Sequence, residues 1–220
     1  MFRILGDLVF VEIYVDDIII FSSNIDDHMI HVKTVLERLK QHGIKINPKK
    51  CTWLTKTVKL LGHIVSENGI AMDPEKVDAI LKRKTPTNVK ELHTFLGIVN
   101  YYLQYVDFLA HLTAPLYDII KNKTVWMWTK ENQEAFDSVK KAFASYPILR
   151  LPDFARKFIL YTDASTIALG VILGQIDEKG AEYVCSYASR KLQGAELNYP
   201  IQQLECLAVI YGIKKLWSTI

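Results

Sequence analysis

Cysteine is scarce in this chain. Its 220 residues carry three, Cys51, Cys185 and Cys206, an odd number, widely spaced, which excludes a disulfide framework and a zinc site built on close cysteine pairs. A reducing compartment fits that usage, and a soluble intracellular protein is expected. The seven prolines and ten glycines are scattered, and the absence of low-complexity tracts and internal repeats excludes a linker-like or solenoid chain. Long apolar runs are missing as well. The hydrophobic stretch after Met1 is broken by Asp7, Glu12 and the pair Asp16-Asp17, so it reads neither as a signal peptide nor as a membrane-spanning helix. Excess charge of one sign is also lacking: a formal +3 is too small to demonstrate a nucleic-acid partner by itself. What is present is a chain that is 50% hydrophobic and 23% charged, enough to bury one large core or two small ones.

The basic residues recur in doublets and triplets, at Lys49-Lys50, Lys82-Arg83-Lys84, Lys140-Lys141, Arg190-Lys191 and Lys214-Lys215. Such runs serve either as solvated helix faces or as phosphate contacts. Along the chain, Leu8 to Ser22 is β-branched and aromatic on both sides of Asp16-Asp17, which predicts two strands joined by a tight turn that carries the acids. From Asn24 the period becomes helical through Val32, Val35, Leu36 and Leu39, with Gly43 placed to end the helix. Short strands are expected at Ile44–Ile46, across Val58–Val65, and, after the turn signal Asn68-Gly69, at Ile70–Met72.

Asp73-Pro74-Glu75 is a helix start and opens a largely helical stretch. Within it Leu92, Phe95, Leu96 and Val99 form one apolar stripe, and Leu112, Leu116, Ile119 and Ile120 another. A further helix begins near Thr129 with Phe136, Val139 and Phe143 on one face. Strands return at Phe158–Thr162, Ala168–Leu173 and Tyr183–Ala188, and a last helix runs from about Ile201 to Leu216.

Two adjacent carboxylates in an apolar setting are costly unless paired, and a hard divalent cation such as Mg²⁺ removes that cost by taking carboxylate and phosphate oxygens. Asp-Asp is equally good turn chemistry, so the pair alone leaves both readings open.

Tyr14-Val15-Asp16-Asp17 between apolar strands resembles the core motif of retroelement reverse transcriptases, and the chain beyond it resembles gypsy-type long-terminal-repeat retrotransposon Pol polyproteins. The resemblance runs through His28, Asn47-Pro48-Lys49-Lys50-Cys51, Leu61-Gly62-His63-Ile64-Val65-Ser66, Asp73-Pro74-Glu75-Lys76 and Phe95-Leu96-Gly97 with Asn100-Tyr101-Tyr102. It continues through Pro147-Ile148-Leu149, Tyr161-Thr162-Asp163-Ala164-Ser165, Tyr187-Ala188-Ser189-Arg190-Lys191-Leu192 and Glu205-Cys206-Leu207-Ala208. One departure stands at Leu103-Gln104, where family members commonly place an Arg pair.

The resemblance implies an α+β fold in four parts. Residues 1–72 would be the C-terminal part of a polymerase palm, 73–124 a helical thumb, 125–153 a connector helix, and 154–220 the N-terminal part of an RNase H-like α/β domain with a mixed sheet. It makes Asp16 a catalytic metal ligand with Asp17 as its neighbour, places Tyr14 at the nucleotide, and puts Leu61, Gly62 and His63 on a hairpin that grips the primer strand. Lys82, Arg83 and Lys84 would meet phosphates, and Asp163 and Glu205 would be the first two metal-binding acids of a ribonuclease H site. On local pattern alone, Asp163 also reads as a helix cap or turn acid and Glu205 as a solvated helical acid.

The implied cofactor is Mg²⁺ in two-metal sites, and the implied partners are primer-template, RNA:DNA hybrid and the other Pol segments: fingers, the rest of RNase H, and integrase. The implied location is a cytoplasmic particle or the nucleus, with no membrane. Because one palm carboxylate and the third RNase H acid lie outside these residues, the isolated chain is expected to be inactive in both reactions. A non-catalytic nucleic-acid-binding or interaction module is the alternative.

Overall fold

The computed structural model describes residues 1–121 and 126–216. The thumb-to-connector boundary expected at 124/125 therefore lies outside the described residues. The chain forms two compact units, Met1–Leu54 and Thr55–Ile220.

The first unit begins with a single helical turn, α1 (Phe2–Leu5), followed by the antiparallel hairpin β1 (Val11–Tyr14) and β2 (Asp17–Ile20) and by the long helix α2 (Ile25–Gln41). The side chain of Asn24 caps α2 by accepting from the Asp27 N–H at 2.9 Å. At the other end, Ile44 N–H donates to Leu39 O at 2.9 Å and Gly43 N–H to Lys40 O at 3.0 Å, a Schellman closure. That closure turns the chain back over the helix end, and Ile44 packs its side chain against the core of Leu5, Val11, Val35 and Leu39. The strand expected at Ile44–Ile46 is not formed: its first amide is committed to the helix and no partner strand lies beside it.

The second unit opens with a three-stranded antiparallel sheet, β3 (Thr57–Leu60), β4 (His63–Ser66) and β5 (Gly69–Met72). The short strands expected across Val58–Val65 form as β3 and β4 around a turn at Leu61-Gly62. Four helices follow: α3 (Pro74–Leu81), α4 (Val89–Tyr101), α5 (Leu109–Lys121) and α6 (Lys130–Ala144). Asp73 caps α3, and Thr129 with Asn132 forms a reciprocal capping box on α6. Leu92, Phe95, Leu116, Phe136, Val139 and Phe143 are all buried in one core, where each large side chain contributes about 1.5–3 kcal/mol.

The last sheet is β6 (Ile159–Ala164), β7 (Ala168–Ile176) and β8 (Glu182–Lys191), with helix α7 (Ile201–Leu216) on one face. Its described pairings are all antiparallel where the resemblance implies a mixed sheet: the strands follow one another through short turns, and parallel pairing needs a longer crossover. The two sheets of this unit are joined by residues 149 and 150. Leu149 exchanges both backbone hydrogen bonds with Ile70, at 2.7 and 2.9 Å, and Arg150 N–H donates to Val184 O at 3.0 Å. Among the described residues, no helix is long and apolar enough to cross a membrane.

Candidate functional site

In the first unit the register pairs Tyr14 with Asp17 and leaves Val15 and Asp16 as a two-residue turn. Ile13 and Ile18 join the core beneath, which fixes the tip in place, while Tyr14, Asp16 and Asp17 are exposed. Val15 sits at φ 52, in the left-handed region that a β-branched residue adopts only under strain. The tip thus presents two adjacent carboxylates to solvent on a strained turn. In donor chemistry they fit a hard divalent cation. Among the described residues no three His, Cys, Asp or Glu side chains gather at metal-binding distance.

The second hairpin turn, Leu61-Gly62, has both residues at positive φ, 50 and 79. It is held by the end of α4: Tyr101 Oη donates to Leu61 O at 2.7 Å and Tyr102 Oη to Gly62 O at 3.1 Å. A Cβ on Gly62 would come within 2.6 Å of the Tyr102 hydroxyl, so only glycine lets the turn approach this closely. His63 is half-buried among Tyr101, Tyr102 and Tyr105, with ring centroids 5.5–5.6 Å away, and its Nδ1 lies 2.8 Å from the Tyr105 hydroxyl. Burial pushes the His63 pKa down and pushes the Tyr105 phenol up to about 12.

The basic triplet follows α3. Lys82 is paired with Asp78 at 2.6 Å, Arg83 is half-buried and its carbonyl accepts from Lys140 Nζ at 3.0 Å, and Lys84 is exposed. Of the three, Lys84 presents its charge most openly.

In the last sheet, alternation along β6 directs Leu160 and Ala164 toward α7, where a Cβ on Gly212 would meet Leu160 at 3.1 Å. Asp163 therefore belongs to the other face, the one it shares with Gly170 and through the register with Ser189. That face receives the chain leading into α5: Phe108 lies on Gly170, and Ala110 N–H donates to Ser189 Oγ at 3.0 Å. Asp107 arrives with it. Desolvation of its carboxyl pushes the Asp107 pKa up, against a lowering backbone hydrogen bond from Phe108, and the charge of Asp163 adds to the rise. Glu205 stands half-buried in α7 beside the inward Leu204. Asp163 thus has a second acid near it that the sequence reading does not include, and no local signal marks Asp107. The tyrosine cluster could have been suspected from Tyr101, Tyr102 and Tyr105, which fall within one helical turn of each other.

Two family models match this chain. A model of the reverse transcriptase (RNA-dependent DNA polymerase) family matches residues 2–65, and a model of the RNase H-like domain found in reverse transcriptase matches residues 128–220. Together they mark a fragment that carries part of a reverse transcriptase and part of the RNase H-like domain found with it. The Tf2-3 and Tf2-7 transposon polyproteins of Schizosaccharomyces pombe are 39% and 38% identical over 201 residues, 91% of this chain. The chain belongs to the reverse transcriptase and RNase H-like region of gypsy-type retrotransposon polyproteins. It spans 15% of the length of those curated relatives.

Among solved structures, the foamy viral protease-reverse transcriptase dRH in complex with double-stranded DNA matches 99% of this chain and 38% of its own, with a TM-score of 0.89 at 22% identity. The foamy viral protease-reverse transcriptase in complex with RNA/DNA hybrid matches 98% of this chain and 29% of its own, with a TM-score of 0.87 at 22% identity. This likeness is one of fold. The two families to which the models belong generally use divalent metal.

Proposed function

We propose that the chain contributes to two metal-dependent phosphoryl-transfer sites, one that extends a primer strand and one that cuts the RNA of an RNA:DNA hybrid. The observation that carries the reading is the hairpin tip, where Asp16 and Asp17 stand exposed above an apolar strand pair. Their oxygens would hold Mg²⁺, with Tyr14 beside them at the nucleotide. When bound, such an ion would neutralise triphosphate charge and favour deprotonation of the attacking hydroxyl. By the family resemblance Asp163 and Glu205 would supply acids of the nuclease site, although Asp163 stands on the sheet face turned away from α7, which carries Glu205; Asp107 adds negative charge beside Asp163. The Leu61-Gly62 turn, with His63 behind it, faces the primer strand, and Lys84 with its neighbours Lys82 and Arg83 meets phosphates. The four-part division into palm, thumb, connector and RNase H-like domain belongs to this reading, as does residence in a cytoplasmic particle or the nucleus.

Binding of a labelled RNA:DNA hybrid, titrated with salt, tests the nucleic-acid half. Affinity should fall steeply as salt rises. Mn²⁺ used as a paramagnetic stand-in tests the metal half: resonances of residues 14–18 should broaden in the parent chain and much less in Asp16→Asn. Absence of hybrid binding at low salt, or broadening that ignores Asp16→Asn, would overturn the corresponding half.

A further inference from the structure

We infer that Tyr101, Tyr102 and Tyr105 are positioning residues that fix the Leu61-Gly62 turn to the end of α4, so that the turn meets a nucleic-acid strand at a height and angle set by that helix. The inference rests on the reading of this hairpin as an element that faces nucleic acid.

A two-residue turn normally leaves its central carbonyls to water. Here both are taken: Leu61 O accepts from Tyr101, and Gly62 O accepts from Tyr102 and from the Asp73 N–H at 3.0 Å. One turn further on, Tyr105 reaches the side chain of His63, the first residue of the returning strand. Three consecutive positions of the hairpin are therefore tied to one short stretch of the thumb-like helices. The left-handed φ of Leu61 is a conformation that leucine adopts only at a cost, and these contacts over-determine it.

Burial separates the three roles. Tyr102 and Tyr105 are 3% and 1% exposed and belong to the core, whereas Tyr101 is 54% exposed. Core packing does not explain Tyr101, because most of its ring stands in solvent while its hydroxyl is spent on the turn. A residue placed in this way acts on the geometry of the turn more than on the stability of the fold. Movement of α4 would then carry the turn with it, since turn and helix share these bonds.

The decisive variant is Tyr101→Phe, which removes one hydroxyl and leaves the ring. Its affinity for a fluorescein-labelled primer-template duplex with a recessed 3′ end is compared with that of the parent chain at low salt. Melting temperature, salt dependence of binding and amide exchange at residues 61–64 are measured on the same samples. With one hydrogen bond at stake, the dissociation constant should rise about three- to ten-fold while the melting temperature and salt slope stay put. Exchange at Gly62 should quicken. Tyr199→Phe, at an exposed tyrosine in the loop before α7, should change none of these.

If the parent chain binds duplex and Tyr101→Phe binds it equally well, the inference fails while the functional reading stands. If the parent chain does not bind at low salt, both fall. A drop in melting temperature that accounts for the lost affinity assigns Tyr101 to stability and also overturns the inference. The double variant Tyr101→Phe/Tyr102→Phe should loosen the turn further, and unchanged exchange there would count equally against it.

Discussion

Phe108 lies against Gly170 so closely that a Cβ built on the glycine would stand 1.9 Å from two atoms of the phenyl ring. Phe108 itself is held at φ 50. The chain entering α5 and the central strand of the last sheet are thus fitted to each other at one point where no side chain can intervene. Gly170→Ala should destabilise the second unit by about 1–3 kcal/mol through overpacking, read as a shift in denaturant midpoint. Phe108→Ala placed in that background should return part of the loss, because it empties the space that the new methyl needs. Strictly additive effects of the two changes would show that the contact is not formed.

Gln175 is fully buried in β7, and both ends of its amide are used. Its Oε1 accepts from Asp153 N–H at 2.8 Å and from the Tyr183 hydroxyl at 2.9 Å, and its Nε2 donates to Asp153 O at 2.8 Å. Gln175→Leu keeps the bulk and strands these partners. A loss of about 1–3 kcal/mol is expected, measured by chemical denaturation, with faster exchange of the Asp153 amide.

Thr129 begins α6 by accepting from Asn132 N–H at 3.3 Å while Asn132 Oδ1 accepts from Thr129 N–H at 2.9 Å. Thr129→Ala should cost about 1 kcal/mol, and Thr129→Ser should cost little, since the hydroxyl survives.

Burial of His63 and Tyr105 should confine the stability of the hairpin and the core beneath it to a pH window. Burial holds the His63 pKa below its ordinary 6.5, so its neutral form is favoured in the fold. That contribution is complete above 6.5 and is lost as pH falls below it. Tyr105 moves the other way, from 10.0 to about 12. Its contribution is complete below 10 and is lost as pH rises from 10 through about 12, amounting to about 2–3 kcal/mol. Denaturation midpoints collected from pH 5 to 12 should show both flanks, with the acid flank flattened in His63→Gln and the alkaline flank in Tyr105→Phe.

Much of this was open to reading from the sequence because it is local. Asn24, Asp73 and Thr129 each carry a capping oxygen one residue before a helical period begins, and the stripe Leu92, Phe95, Leu96, Val99 is buried as its spacing requires. Asp16-Asp17 lie at a hairpin tip because β-branched and aromatic residues flank them on both sides and pair as strands. What was hidden depends on partners distant in the chain. Ile44 has strand-forming neighbours, yet its amide closes α2. Tyr101 shows its purpose only when the turn 40 residues before it is placed alongside. Asp107 carries no pattern at all, and it reaches Asp163 only because Phe108 finds Gly170.

Residues 149 and 150 bear on how the second unit melts. One short stretch of backbone is stitched to Ile70 on one side and to Val184 on the other, so neither sheet can open along that seam without exposing amides that belong to the other. Heat should therefore take the β3–β5 sheet and the β6–β8 sheet apart in a single transition, and the calorimetric and van't Hoff enthalpies of that transition should agree.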